Sequence, residues 1–176
     1  CRGWYNFIYF GHDKNLVSVL DGGLKKWLIE NRKTTSEKTI LNNSTYRATE
    51  NKNLVKSILE INENIEQKNF TIIYARSKER FNGSVPDPRK NVRSGSIPNS
   101  VCLPFKEIIN SSDNTFKGVS EISKKFSEII DLNDDKTVFS CGSGITACVL
   151  GLAYSLVNNT YSPTVYDGSW AEYGRI

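Results

Sequence analysis

Thr137-Val138-Phe139-Ser140-Cys141-Gly142-Ser143-Gly144-Ile145-Thr146-Ala147-Cys148-Val149-Leu150 is the stretch whose reading decides the fold. Lys136 to Ser140 reads as a short buried strand, and Ala147 to Val157 as an apolar helix. Between them a cysteine opens a loop of small residues. Two glycines and a serine let successive backbone N–H groups turn inward as an anion-binding nest. The helix N-terminus adds unpaired donors and a partial positive charge. A sulfhydryl there is favoured as the thiolate, which is the nucleophilic form. Cys141 is therefore read as reactive; the plainer alternative is a buried cysteine that ends a strand.

The remaining chain sets the context. Its 176 residues suffice for one domain with its own core plus a remainder. Apolar content of 38% and charged content of 24% fit a globular chain rather than a disordered one. No apolar run approaches the roughly 20 residues of a membrane span. A formal charge of +4, scattered along the chain, suits small anionic substrates and is no nucleic-acid footprint. The four cysteines, Cys1, Cys102, Cys141 and Cys148, match no zinc spacing, and His12 is the only histidine, so no metal site and no cofactor are expected. Four cysteines in a chain this long are no disulfide framework, which points to a reducing compartment: the cytoplasm, or the mitochondrion for a eukaryotic source.

Outward from the cysteine, strands and helices alternate. Arg2 to Phe10 reads as a helix with Trp4, Phe7 and Ile8 on one face, closed by Gly11. Leu16 to Leu20 reads as a strand, Asp21-Gly22-Gly23 as a turn, and Leu24 to Leu28 as a short helix. Asn51 to Gln67 reads as one amphipathic helix, Phe70 to Tyr74 as a strand, and Ser77 to Phe81 as a helical turn. A Pro-rich loop from Asn82 to Pro98 follows. Ser100 to Leu103 reads as extended, Phe105 to Ile109 as a short helix, and Ser120 to Ile130 as an amphipathic helix. This alternation predicts an α/β domain with a parallel central sheet flanked by helices on both faces. Ligands bind beyond the carboxyl ends of such strands, where the loops 75–93, 141–146 and 167–170 should converge.

The layout Val19-Leu20-Asp21-Gly22-Gly23 recurs as Val165-Tyr166-Asp167-Gly168-Ser169, each with a helix at the same distance upstream. A fixed offset of this kind indicates tandem duplication. The expected organisation is a C-terminal remnant of a first repeat at 1–29, a polar linker at 30–44 and a catalytic domain at 45–176. The chain reads as a fragment of a longer protein.

The motifs resemble a known family. Cys-Gly-Ser-Gly-Ile-Thr at 141–146 resembles the active-site loop of mercaptopyruvate sulfurtransferases, in the rhodanese superfamily. So does Ala75-Arg76-Ser77-Lys78-Glu79-Arg80-Phe81-Asn82-Gly83 with Pro86-Asp87-Pro88-Arg89. Ser94 to Ser100 is similar to the family's Gly-His-Ile-Pro-Gly-Ala segment, and Tyr166 to Trp170 to its closing motif. The resemblance implies that the Cys141 thiolate takes sulfur from 3-mercaptopyruvate as a persulfide and passes it to a thiol such as thioredoxin, or to cyanide. Ser143 would assist catalysis. Arg80 and Arg89 would bind the donor's carboxylate and carbonyl, for which the planar guanidinium is suited. Gly142, Gly144, Ile145 and Thr146 would line the donor site, Thr146 standing also where it could cap the helix. Asp167 either braces the loop amides or is an ordinary Asp-Gly turn. Arg76 and Arg93 read as surface arginines, and Cys102, Cys148 and His12 as structural.

Three departures stand out. Tyr74 occupies the place of the family's usual Asp, and Ser96 and Asn99 replace His and Gly. Thiosulfate sulfurtransferase is the nearest rival, but its loop carries cationic residues where Gly142 and Ser143 stand. A cysteine phosphatase needs an arginine six residues after the nucleophile, where this chain has Ala147. A non-catalytic sulfur-relay or binding module is the third alternative.

Overall fold

Tyr74 and Ser140 lie side by side at the ends of two neighbouring parallel strands, and this register places the cysteine loop. The structure is a computed structural model that describes residues 1–133 and 136–176. Among these residues five strands form one sheet: β1 (Val55–Lys56), β2 (Thr71–Tyr74), β3 (Val101–Cys102), β4 (Thr137–Ser140) and β5 (Thr164–Tyr166). Their order is β1-β5-β4-β2-β3, and every pairing is parallel. β4 is central and all four of its residues are buried.

Among the described residues, seven α-helices accompany the sheet: α1 (Arg2–Tyr9), α2 (Gly23–Ile29), α3 (Ile58–Gln67), α4 (Lys78–Phe81), α5 (Val119–Ser127), α6 (Ala147–Val157) and α7 (Ser169–Tyr173). Side chains alternate across a strand, so each face of the sheet has its own core. Ile73, Phe139 and Val165 meet Tyr5 of α1, Ile122 and Phe126 of α5, and Ala147, Leu150 and Tyr154 of α6. Ile72, Tyr74, Val138 and Tyr166 meet Ile61 of α3, Ile97 and Trp170 of α7. The expected parallel sheet with helices on both faces is what the chain forms.

Local expectations fared unevenly. Residues 51–67 are not one helix. Lys52–Leu54 make a 3₁₀ turn, Val55–Lys56 pair with β5, and α3 begins only after Ser57. Ser57 accepts from the Glu60 amide while Glu60 accepts from the Ser57 amide. Such a capping box fixes a helix start and is worth about 1 kcal/mol. Leu16–Leu20 is not a strand: Lys14–Leu16 form a 3₁₀ turn, and Leu16 is 75% exposed. An apolar run with no strand edge to pair with has no ladder to join. On α1 it is Tyr5, not Phe7, that is buried, and the Tyr5 hydroxyl donates to the Leu54 carbonyl at 2.6 Å. This bond ties residues 1–9 to the sheet domain, while residues 33–50 form neither helix nor strand. Thus α1 and α2 precede and follow their Asp-Gly turn as α6 and α7 do, but only the second unit contains a strand.

Candidate active site

β4 ends at Ser140, and the chain turns immediately, leaving Cys141 at the sheet's carboxyl edge. The turn is held from behind by one side chain. Ser169 Oγ accepts from the Cys141 and Gly144 amides, both at 3.1 Å, and donates to the Tyr166 carbonyl at 2.8 Å. The first amides of α7 take the loop's carbonyls: Trp170 N–H donates to the Cys141 oxygen and Ala171 N–H to the Gly142 oxygen. With those carbonyls drawn away, donors are left facing the sulfur. The Ser143 amide donates to Cys141 Sγ at 3.5 Å. The Thr146 hydroxyl and the Thr146 and Ala147 amides lie near enough to favour its thiolate. Burial pushes the Cys141 thiol up, but the Thr146 hydroxyl and these three amides more than reverse that, and its pKa falls below the ordinary cysteine value.

Cys141 is only 1% exposed, yet it reaches the floor of a cavity of about 470 Å³. Gly142, Ser143, Ile145 and Thr146 line the same cavity, with Arg76, Arg80 and Arg89 on the facing wall. Arg80 is half-buried and has no hydrogen-bond or ion-pair partner among the described residues. Arg89 is fixed: its backbone N–H and its guanidinium both donate to Asp87 Oδ1, at 3.0 and 3.2 Å. A Cβ at position 142 would lie 3.2 Å from Arg89 Nη2, so glycine there leaves room for the guanidinium.

Several residues do other work than expected. Thr146 stands at the N-cap position of α6, but its side chain makes no capping bond and serves the sulfur instead. Gly144 does not line the cavity; its backbone is left-handed at φ +73°, and its carbonyl points away from the sulfur to Arg2 and Cys148. Asp167 does not brace the amides. It pairs with Arg2, and Ser169 is the brace. No local signal marks Ser169, a small residue immediately after an Asp-Gly pair.

Arg76 is not a surface residue. It is 7% exposed, bonded to Asp87 at 2.5 Å and to the Gly95 carbonyl at 2.9 Å, with its guanidinium over the rings of Tyr74 and Trp170. Burial raises the Asp87 carboxyl, but the Arg89 amide and both guanidiniums outweigh this and hold it below the ordinary carboxylate value. Arg93 lies over Trp170 and Tyr173. Tyr74 is fully buried, and its hydroxyl has no partner among the described residues. Lys106 also lines the cavity, which sequence reasoning missed. Cys148 is core: burial pushes its thiol up to about 11.

The Rhodanese-like domain family matches residues 57–175. The chain belongs to the rhodanese family. The 3-mercaptopyruvate sulfurtransferase of Homo sapiens is 37% identical over 98% of this chain, which covers 57% of that relative. The mitochondrial thiosulfate/3-mercaptopyruvate sulfurtransferase 1 of Arabidopsis thaliana is 36% identical over 98% of this chain, covering 50% of the relative. The crystal structure of SseA from Escherichia coli, titled as a 3-mercaptopyruvate sulfotransferase with the rhodanese fold, superposes with a TM-score of 0.78 at 28% identity, over 96% of this chain and 61% of that one. This rhodanese chain therefore spans about half the length of the curated relatives it matches. Among the described residues, no helix is long and apolar enough to cross a membrane.

Proposed function

We propose that this chain carries the sulfur-transfer centre of a 3-mercaptopyruvate sulfurtransferase, with Cys141 as the sulfur carrier. The observation that carries the reading is the set of donors on Cys141 Sγ at the floor of a cavity faced by Arg80 and Arg89. The thiolate attacks the sulfur of 3-mercaptopyruvate. The carbon–sulfur bond breaks, and its electron pair leaves with pyruvate enolate. The proton that was on the donor's sulfur ends on the enolate carbon, giving pyruvate and a persulfide anion on Cys141. An acceptor thiolate such as that of thioredoxin, or cyanide, then attacks the outer sulfur, and Cys141 departs as thiolate. The amides that stabilise the thiolate stabilise the persulfide equally, in the manner of an oxyanion hole.

The free Arg80 and the braced Arg89 hold the donor's carboxylate and carbonyl. The Ser143 hydroxyl, exposed at the cavity, hydrogen-bonds the donor and assists the proton's passage. Gly142, Ile145 and Thr146 wrap the reacting sulfur. A second reading, thiosulfate as donor, draws support from Lys106, which adds a cation to the wall although the loop itself is neutral. The non-catalytic module is disfavoured, because a binding surface has no need of a nucleophile with a lowered pKa. Two further proposals concern organisation and place: residues 1–29 are the tail of a preceding repeat, joined by 30–44 to the catalytic unit at 45–176, and the protein works in a reducing compartment, cytoplasmic or mitochondrial.

Intact-mass measurement after incubation with 3-mercaptopyruvate tests the reading. A gain of one sulfur that is absent in Cys141→Ser supports it, and no gain in the unsubstituted protein contradicts it. Thiosulfate run in parallel ranks the donors.

A further inference from the structure

The Gly144 carbonyl of the cysteine loop is not taken by α7, which takes those of Cys141 and Gly142, and its holders come from elsewhere. Cys148 Sγ donates to it at 3.1 Å from the first turn of α6. Arg2 Nη1 donates to it at 3.3 Å from α1, the first helix of the chain, which lies outside the 57–175 match. The same Arg2 nitrogen pairs with Asp167 Oδ1. Arg2 thus joins the cysteine loop to the 167–169 turn that carries Ser169. Its own base is fixed, because Tyr5, buried and bonded to Leu54, anchors α1 against the sheet. The packing is close: a Cβ on Gly144 would fall within 3 Å of both Asp167 and Arg2.

We propose that Arg2 is a positioning residue for the sulfur-carrying loop, holding the Gly144 carbonyl away from Cys141 so that only donors face the sulfur. The proposal rests on the reading of Cys141 as the nucleophile. The effect is electrostatic. A nest binds an anion because its N–H groups converge and its carbonyls do not. Gly144, with no Cβ, is free to rotate its following peptide. Rotation would bring an acceptor oxygen toward the thiolate and cancel part of what the Ser143 and Thr146 amides supply. Arg2 and Cys148 oppose that rotation, and of the two only Arg2 carries a charge and a second anchor, Asp167.

The test follows the rate of Cys141 alkylation by iodoacetamide against pH, read by peptide mass in the full protein. It needs no sulfur donor, so it stands whether or not sulfur transfer itself is found. Arg2→Met should raise the apparent pKa of Cys141 by about one unit, leaving about tenfold less thiolate at neutral pH. Arg2→Lys, which keeps the charge for Asp167 but not the planar fork, should give an intermediate shift. Asp167→Asn should shift it least. The other charged groups at the cavity, Arg76, Arg80, Asp87, Arg89 and Lys106, are unchanged in all three variants. An Arg2→Met profile superimposed on that of the unsubstituted protein, even with a lowered melting temperature, overturns the proposal. Should Arg2→Met not fold, Arg2→Lys decides: an upward shift supports the assignment and an unmoved profile removes it.

Discussion

Cys141 and Cys148 stand seven residues apart, both buried, and folding moves their pKa values in opposite directions. Burial acts on both in the same sense, against the thiolate. The difference lies in what faces each sulfur. Cys141 receives the Thr146 hydroxyl and three backbone amides. Cys148, in the first turn of α6, faces the Gly144 carbonyl and must donate to it. Arg2 lies close enough to lower the Cys148 pKa somewhat, and burial still prevails there. A cysteine in this fold is therefore made reactive by the direction of the peptide groups around it, and neither depth nor a nearby cation is sufficient.

The severest way to break this contrast is to remove the brace that turns the peptide groups. Ser169→Ala leaves the Cys141 and Gly144 amides without their acceptor. Each unsatisfied buried donor costs about 1–3 kcal/mol. We expect kcat/KM for 3-mercaptopyruvate to fall on the order of 100-fold, as when one oxyanion-hole donor is lost, and the melting temperature to drop by several degrees. Steady-state kinetics and thermal melts check both.

Thr146→Val sharpens the contrast at a single hydroxyl. The shape is kept and the donor to Cys141 is lost. Because folding lowers the Cys141 pKa, the thiolate's stabilisation is present above the unfolded value of about 8.5 and is lost as pH falls through the folded one. The variant's acid-side limb in kcat/KM should therefore move to higher pH, by about one unit, with little change at alkaline pH.

Cys148→Ala should matter least to catalysis, changing kcat/KM by less than about twofold, since Arg2 still holds the Gly144 carbonyl. Its signature is in stability. Folding raises the Cys148 pKa, so its stabilising contribution is complete below about 8.5 and is withdrawn as pH rises toward about 11. Denaturant titrations across that range should show a shallower alkaline decline in the variant.

What could be read in advance follows from how local each signal is. The strand-loop-helix run at 137–157 was legible because burial leaves β4 and α6 without a charged residue, and glycines mark the loop. The helix start at Ser57 was equally local, a capping box in plain sequence, yet the apolar spacing of Leu54, Val55 and Ile58 masked it. Arg76 was misread because its partners, Asp87 and Trp170, lie 11 and 94 positions away, and no spacing rule reaches them. Ser169 and Arg2 were illegible for the same reason: their work is done on a loop brought to them only by the closed sheet. Leu16–Leu20 had a strand's composition without a strand's neighbour, and composition alone forms no ladder.

The most direct test measures both sulfurs in the unsubstituted protein at once. Iodoacetamide is small enough to enter the cavity, and peptide mass after short exposures from acid to alkaline pH gives each cysteine its own curve. Cys141 should label along a limb below the ordinary thiol value, while Cys148 stays unlabelled until more alkaline conditions. If the two curves coincide, or Cys141 labels only above the ordinary thiol value, the peptide groups do not hold a thiolate there and the account is wrong.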